Sequence, residues 1–251
     1  KTFTSNDGLL ATATYGSGTA SSLGAGTRMM WYPKKGAFRA GQVTGTDWDD
    51  ANIGQYSFAM GYNTLASGYF STALGYGTKS GENSFASGYQ SEATGPYSFA
   101  HGQTSKATNF FSIAMGYNAI ASAYGSISIG GSTTSSGYGS VAMGISTTAS
   151  GDNSTALGAE TIASSNYATA IGSKTTASNF ASTAMGRMTT ASGYMSTAMG
   201  VVTTAKSFAE TVIGMNNTDY TPLGVNSPVL TDRLFVIGNG QFGGALSDAL
   251  V

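Results

Sequence analysis

Apolar and small residues alternate along most of this chain with a period of two. Phe58 and Met60 flank an alanine, and Ile127 and Ile129 flank a serine. Side chains that alternate in this way project to opposite faces of a β-strand, whereas the apolar residues of a helix recur at three and four. The pattern therefore predicts many short strands, each with one face of small residues and one face of larger apolar residues.

The alternation belongs to a repeat with the pattern Ser-x-Ala-x-Gly. Its closing glycines are 14 residues apart, except for one interval of 13 that indicates a single deletion. We expect them to be turn glycines, and the short interval is the one from Gly75 to Gly88. They are Gly61, Gly75, Gly88, Gly102, Gly116, Gly130, Gly144, Gly158, Gly172, Gly186, Gly200 and Gly214. Fourteen is also two heptads, but a coiled coil would carry a glycine in every copy, at a cost of about 1 kcal/mol each. The repeat predicts instead an all-β parallel solenoid, or β-roll, of 14-residue coils.

Each coil is expected to contain a first strand that ends at the glycine and a second, shorter strand such as 63–67. Small residues, for example Ser57, Ala59 and Ala66, are expected to fill the narrow interior. The larger residues of the first strand then form an outward stripe, which consists of Met60, Leu74, Met115, Ile129, Met143, Leu157, Ile171, Met185, Met199 and Ile213. Because burial of such a set is worth about 15 to 30 kcal/mol, the stripe predicts self-association.

The outer face of the second strand is expected to be in contact with solvent. Glu92 precedes Lys106 by one coil, and Glu160 precedes Lys174, so opposite charges should lie about one strand spacing apart. Tyrosines recur near the corners, where we predict that they stack between coils. A sticky surface for protein or glycan is the alternative interpretation of these tyrosines.

Composition argues against several classes of function. Charged residues make up 9% of the chain and the formal net charge is -1, so a basic surface for nucleic acid is not expected. No apolar run is long enough to predict a membrane-spanning helix. The absence of cysteine is consistent with a secreted surface protein that needs neither disulfides nor a thiolate metal site.

The repeat also shows no constellation that would carry catalysis. The stretch 238–243 contains a GxGxxG, but no helical pattern follows it. His101 is the only histidine, and Asp152 is the only aspartate within 61–200, which argues against a catalytic triad and against repeated calcium sites. A solenoid enzyme would need acids or bases clustered on one face. We therefore predict that the protein is not an enzyme and has no catalytic, cofactor-binding or metal residue.

The N-terminal region departs from the repeat. Residues 1–52 contain both tryptophans, Trp31 and Trp48. The first coil of a solenoid presents unpaired strand edges, so bulky residues at this position favour an N-terminal cap over a receptor contact.

The β-roll itself is predicted at residues 53–214, as twelve repeats. Glu210 and Val212 replace an interior serine and an interior alanine, so the roll is expected to close near Gly214. Residues 215–251 are then expected to form a linker or strand-turn segment that leads toward a stalk, chaperone or anchor region.

The Ser-x-Ala-x-Gly copies, with Thr-x-Ala-Ser-Gly between them, resemble the YadA-like head repeats of trimeric autotransporter adhesins over about residues 53–214. This resemblance implies a left-handed parallel β-roll and a homotrimer with the apolar stripe on its axis. It also implies an extracellular location, at a cell surface or in a fibre, and a non-enzymatic role in attachment to cells, matrix or surfaces. The partner would be a host or environmental surface protein or glycan. The alternative is a structural shaft of a phage-like or contractile-system tail fibre or surface filament, whose binding tip lies elsewhere.

The stripe is interrupted at two consecutive levels, where Ser87 and His101 take the positions of larger apolar residues. If the stripe faces a three-fold axis, three imidazole rings meet there. We predict a polar axial layer at this level, filled either by water or by a specific ion.

Overall fold

Two parallel β-sheets face each other across a narrow interior in the computed structural model, which describes residues 11–19 and 23–251. Within these ranges the long sheet has 16 strands and the short sheet has 11. The only helix there is the three-residue 3-10 turn Asp50–Asn52. None of the described residues forms a helix that is long and apolar enough to cross a membrane. The prediction of an all-β parallel solenoid is confirmed.

The long sheet contains the strands that end at the repeat glycine, together with two further strands at each end. In sheet order they are β1 (Gly26–Tyr32), β2 (Ala37–Val43), β3 (Phe58–Tyr62), β5 (Thr72–Tyr76), β7 (Phe85–Tyr89), β9 (Phe99–Gln103), β11 (Ile113–Tyr117), β13 (Ile127–Gly131), β15 (Val141–Ile145), β17 (Thr155–Ala159), β19 (Thr169–Ser173), β21 (Thr183–Arg187), β23 (Thr197–Val201), β25 (Thr211–Met215), β26 (Phe235–Asn239) and β27 (Asp248–Leu250).

The short sheet contains strands of two residues each. They are β4 (Leu65–Ala66), β6 (Lys79–Ser80), β8 (Glu92–Ala93), β10 (Lys106–Ala107), β12 (Ile120–Ala121), β14 (Thr134–Ser135), β16 (Thr148–Ala149), β18 (Ile162–Ala163), β20 (Thr176–Ala177), β22 (Thr190–Ala191) and β24 (Thr204–Ala205). One long strand, one short strand and two corners therefore make up each coil.

Neighbouring coils are stacked in register, so that equivalent residues pair directly. The coil with one residue fewer keeps this alignment, because Gly75 still pairs with Gly88 and Lys79 with Glu92. The missing residue therefore lies in the corner after Ser80, which confirms the single deletion. A corner can lose a residue without disturbing the pairing of either sheet.

Small side chains from both sheets fill the interior. Ser57, Ala59 and Ala66 are almost fully buried, as predicted. A further interior column, which sequence reasoning missed, lies just before the short strands and consists of Thr64, Thr78, Ser91, Ser105, Ala119, Thr133, Thr147, Thr161, Thr175, Thr189 and Thr203. The alternation rule could have identified it, because in each Thr-Thr-Ala the first threonine shares a face with the buried alanine.

The repeat glycine is required by the close approach of the next coil. Gly130 has a φ of +127°, and a Cβ at this position would lie 1.9 Å from the carbonyl oxygen of Gly144. Gly131, the next residue in the same strand, has open space around the position of a Cβ and no positive φ. The regular spacing of the glycines along this chain thus results from close contact between successive coils and not from a turn at each glycine.

The corners are built from residues in the left-handed conformation. Asn63 and Phe70 turn one coil with φ values of 48° and 52°. Even the β-branched Val202 adopts this conformation, and its N–H donates to the carbonyl of Arg187 in the preceding coil at 2.8 Å. Such a conformation costs about 1 to 2 kcal/mol for a residue with a Cβ, so the stacked hydrogen bonds impose it against local preference.

Parallel stacking leaves carbonyl groups unpaired at the N-terminal end of the short sheet. The Trp48 Nε1–H donates to the carbonyl of Thr64 at 2.9 Å. Arg39 Nη2 and the N–H of Gly54 each donate to the carbonyl of Ala66 at 3.0 Å. Trp48 and Arg39 are fully buried, and desolvation lowers the pKa of Arg39 to about 10. These donors therefore take the place of a missing strand.

The opposite end of the short sheet leaves N–H groups unpaired instead. The N–H of Thr204 donates to Asn217 Oδ1 at 2.8 Å, and the N–H of Lys206 donates to Glu210 Oε2 at 2.7 Å. Glu210 is fully buried, and its Oε1 lies 3.4 Å from Arg233 Nε. Side-chain oxygens thus accept the N–H groups that have no further coil to pair with, which explains why a carboxylate replaces the interior serine of the repeat.

The long sheet extends beyond both ends of the short sheet. Strand β2 pairs in parallel with β3, and β26 pairs in parallel with β25. The outermost strands, β1 and β27, pair antiparallel with their neighbours. The short sheet thus ends at Ala205, whereas the long sheet continues past Gly214 to β27.

Candidate interaction surfaces

The outer face of the long sheet carries the predicted apolar stripe. Met60, Met143, Met185 and Met199 are 36% to 46% exposed in the single chain, and the other members of the stripe are half-buried. In-register pairing, for example between β15 and β17, aligns them in one column. A column of large apolar side chains is thus left in contact with solvent along the rod.

A second column lies beside the stripe on the same face, and sequence reasoning did not assign it there. In the first half of the rod it is half-buried and apolar except at Thr72, and its apolar members are Phe58, Phe85, Phe99, Ile113, Ile127 and Val141. From Thr155 to Thr211 the same position is occupied by threonine. The signal was present in the alternation, because the first and third residues of a strand share a face.

Ser87 and His101 interrupt the stripe at adjacent, directly paired positions. Ser87 Oγ and His101 Nδ1 are 2.7 Å apart, and both side chains can be reached by solvent in the single chain. Phe85 and Phe99 lie beside them in the second column, with ring centroids 5.3 Å apart and 7° between the ring planes. A polar pair is therefore set into an otherwise apolar face.

Stacked aromatic rings line most of the corners that follow the short strands, and we call this row of corners the aromatic corner. Tyr124 and Tyr138, for example, stack with centroids 5.1 Å apart and 2° between planes. The rings form three groups, which are Tyr15, Tyr56, Tyr69 and Phe70; Tyr97, Phe110, Phe111, Tyr124 and Tyr138; and Tyr167, Phe180, Tyr194 and Phe208. Stacking between coils, as predicted, is confirmed at these corners.

The outer face of the short sheet carries a row of three charges. Glu92 lies between Lys79 and Lys106, with Nζ–Oε distances of 3.0 and 3.6 Å. Burial alone raises the pKa of the Glu92 carboxyl, but the hydrogen bond from Lys79 and the charge of Lys106 outweigh it, so the pKa lies below its usual value. The predicted Glu160–Lys174 pair is also present, at 3.7 Å. Because these pairs are largely exposed, each is worth under about 1 kcal/mol.

The described residues show no arrangement suited to metal or phosphate chemistry. None of them forms a group of three or more His, Cys, Asp or Glu side chains that could hold a metal ion. The glycines of 238–243 lie at the end of β26 and in the connection to β27, with no helix after them. A phosphate site of the GxGxxG type depends on a helix N-terminus, so this stretch does not provide one.

The fold is a parallel β-solenoid with an apolar outer face on the long sheet, a row of charges on the short sheet and an aromatic corner. The chain matches the YadA head domain repeat at residues 53–78, 80–105, 107–133, 135–161, 149–175 and 177–203, which together cover more than half of its length. It therefore belongs to the YadA head family, a family of adhesins. No curated protein matches the chain.

Proposed function

We propose that this chain is the head of a homotrimeric surface fibre that attaches cells to other cells, matrix or surfaces, without catalysis. The observation that carries the proposal is the apolar outer face of the long sheet, in a chain that belongs to an adhesin family. A monomer rarely leaves a continuous apolar patch of this length in water. The family supports three as the number of chains around the axis.

Three copies packed through this face would match coil by coil, because every coil has the same length and the same register. The stripe from Met60 to Ile213 would lie nearest the axis, and the second apolar column would contact the neighbouring chain. Cyclic packing of one surface patch against a different patch of the next copy gives a closed ring. Ser87 and His101 would then face their counterparts and form a polar layer that holds water or an ion.

We further propose that residues 1–52, of which 1–10 and 20–22 lie outside the described residues, are the N-terminal cap of this head and that 215–251 form the segment leading to the next part of the fibre. Trp48 and Arg39 support the first assignment, since both complete the edge of the short sheet. The lengthened connection before β26, in which the chain leaves the 14-residue repeat, supports the second. The extracellular location follows from the role in attachment.

Two measurements test the proposal. Light scattering of the folded protein should give three times the chain mass of 25.4 kDa. A mass equal to one chain would contradict assembly through the stripe, and twice the chain mass would contradict the three-fold axis. The assembled protein, presented on beads, should bind in a saturable way to at least one of cultured cells, matrix proteins or immobilised glycans. Binding to none of them would favour the alternative role as a fibre shaft.

A further inference from the structure

The aromatic corner already binds a peptide segment near its C-terminal end, and that segment belongs to the chain itself. Residues 223–226 lie across three successive coils. The N–H groups of Tyr194 and Phe208 donate to two consecutive carbonyls of this segment, at 2.8 and 3.2 Å. Asn179 Nδ2 donates to the side-chain oxygen of Asn226 at 2.8 Å. Two backbone amides and one side-chain amide of the corner therefore form a peptide-binding site.

A second copy of this set of donors occurs five coils earlier. Asn109, Tyr124 and Tyr138 occupy the positions that Asn179, Tyr194 and Phe208 occupy in the site just described. In both copies the asparagine Oδ1 accepts the N–H of the following phenylalanine at 2.8 Å. In both, its Nδ2 also donates to a serine carbonyl one coil further on, at 3.2 and 3.0 Å. The asparagine is thus held in the same orientation, with its second amide hydrogen directed outward.

The two copies differ in what covers them. Phe110, Tyr124 and Tyr138 are 45%, 43% and 54% exposed, whereas the rings beneath the segment 223–226 are half-buried. In the part of the chain that the structure describes, the N–H of Tyr124 has no hydrogen-bond acceptor. The earlier copy therefore presents two of the three donors, Asn109 Nδ2 and the N–H of Tyr124, together with exposed rings and no peptide on them.

One residue distinguishes the chemistry of the uncovered copy. Asp152 Oδ1 accepts the N–H of Tyr138 at 2.9 Å, where the covered copy uses a carbonyl of the bound segment. Asp152 is exposed, so its carboxylate adds a negative charge at the edge of the site. Suppose that a ligand binds here with its chain running in the same direction as 223–226. Its residue at the position of Leu223 would then lie near the carboxylate of Asp152.

We propose that Asn109, Tyr124 and Tyr138 form a docking site for a peptide segment of a partner protein, with a basic residue beside Asp152. Asn109 Nδ2 and the N–H of Tyr124 would donate to the segment, and the ring edges would pack against its side chains. A peptide fits this surface better than a sugar, because the rings of Tyr124 and Tyr138 cover each other's faces. All these residues belong to one chain, so the site does not require the trimer.

The test uses the full chain and a fluorescein-labelled peptide with the sequence of residues 221–228, in which the position of Leu223 carries lysine. Fluorescence anisotropy should show saturable binding with one peptide per chain. Tyr124→Asn should weaken binding at least tenfold, and it should fold normally because Asn166 occupies the equivalent corner position three coils later. The matched control is Tyr167→Asn, which removes a corner ring that is 55% exposed, compared with 43% for Tyr124, and should leave the affinity unchanged.

Charge provides a second comparison. The lysine peptide should bind more tightly than the peptide with the unchanged leucine, and Asp152→Asn should remove most of that difference while keeping an oxygen that accepts from Tyr138. If the two peptides bind the unaltered protein equally, the role assigned to Asp152 is wrong. If neither peptide binds at millimolar concentration, the docking site itself is wrong.

Crosslinking locates the bound peptide. A benzophenone placed at the position of Val225 should attach the peptide to the tryptic fragment 107–174, which contains the uncovered copy. Attachment only to fragments within 175–206 would mean that the peptide displaces the chain's own segment, and this result would overturn the proposal. Equal weakening by Tyr124→Asn and Tyr167→Asn would overturn it as well, because binding would then depend on aromatic exposure in general.

Discussion

Replacing Gly130 with alanine tests whether contact between coils requires the glycine of every repeat. At its φ of +127° a residue with a Cβ is strained by about 1 to 3 kcal/mol. The new Cβ would also lie 1.9 Å from the carbonyl oxygen of Gly144, whereas a carbon–oxygen contact normally needs about 3.3 Å. The two coils would have to separate by more than about 1 Å, which weakens hydrogen bonds worth about 0.5 to 1.5 kcal/mol each. We expect a total loss of about 3 to 6 kcal/mol per chain.

The neighbouring Gly131→Ala is the matched control. It makes the same chemical change in the same strand, but at a position with open space and no positive φ. There the added methyl group restricts the unfolded chain and should leave stability unchanged or raise it by about 0.4 to 1 kcal/mol. The two variants therefore differ only in the backbone geometry and contacts of the altered residue.

Thermal unfolding followed by circular dichroism measures the difference. For a chain of this size, 1 kcal/mol shifts the melting temperature by about 2 to 4 °C, so Gly130→Ala should melt about 6 to 24 °C lower than the unaltered protein. Hydrogen exchange should show that protection is lost mainly in the coils that contain β13 and β15. If Gly130→Ala and Gly131→Ala had the same melting temperature, the close approach of successive coils could not be the reason for the glycine.

Three further predictions concern the ends and faces of the rod. Glu210→Ala should lower stability by about 3 to 5 kcal/mol in thermal unfolding, because it leaves the N–H groups of Lys206 and Ser207 without their acceptor and removes an ion-pair partner of Arg233. No change would contradict the capping role of this carboxylate. Hydrogen bonds from a lysine and a tyrosine lower the pKa of Asp50 from 3.8 to about 2. The stabilisation from this group is complete above its unfolded pKa and is lost as the pH falls to about 2, so acid titration of the melting temperature should show a loss in this window that Asp50→Asn lacks. Met143→Asp should reduce the assembled mass in light scattering far more than Thr148→Asp, because only the former would bury a charge between chains; equal effects would refute the assignment of the two faces.

The periodic part of this molecule could be predicted from the sequence because each coil repeats the same pattern of small residues, larger apolar residues and glycine. Alternation of residues such as Phe58 and Met60 defines the strand faces, and in-register stacking of identical coils carries that choice along the rod. The closing glycines determined the coil length, and one interval of 13 indicated the deletion. Their spacing also distinguished a solenoid from a coiled coil, since glycine is costly in a helix interior.

The non-periodic features depended on the tertiary structure. Arg39 and Trp48 complete the carbonyl end of the short sheet, and Glu210 completes its amide end, through hydrogen bonds between residues that no repeat relates to one another. The segment 223–226 likewise binds a corner that is formed by coils preceding it in the chain. The repeat predicts only what equivalent residues of successive coils have in common. The caps and the bound segment instead depend on carbonyl and N–H groups that lack a partner in the next coil, and these groups are seen only in the folded chain.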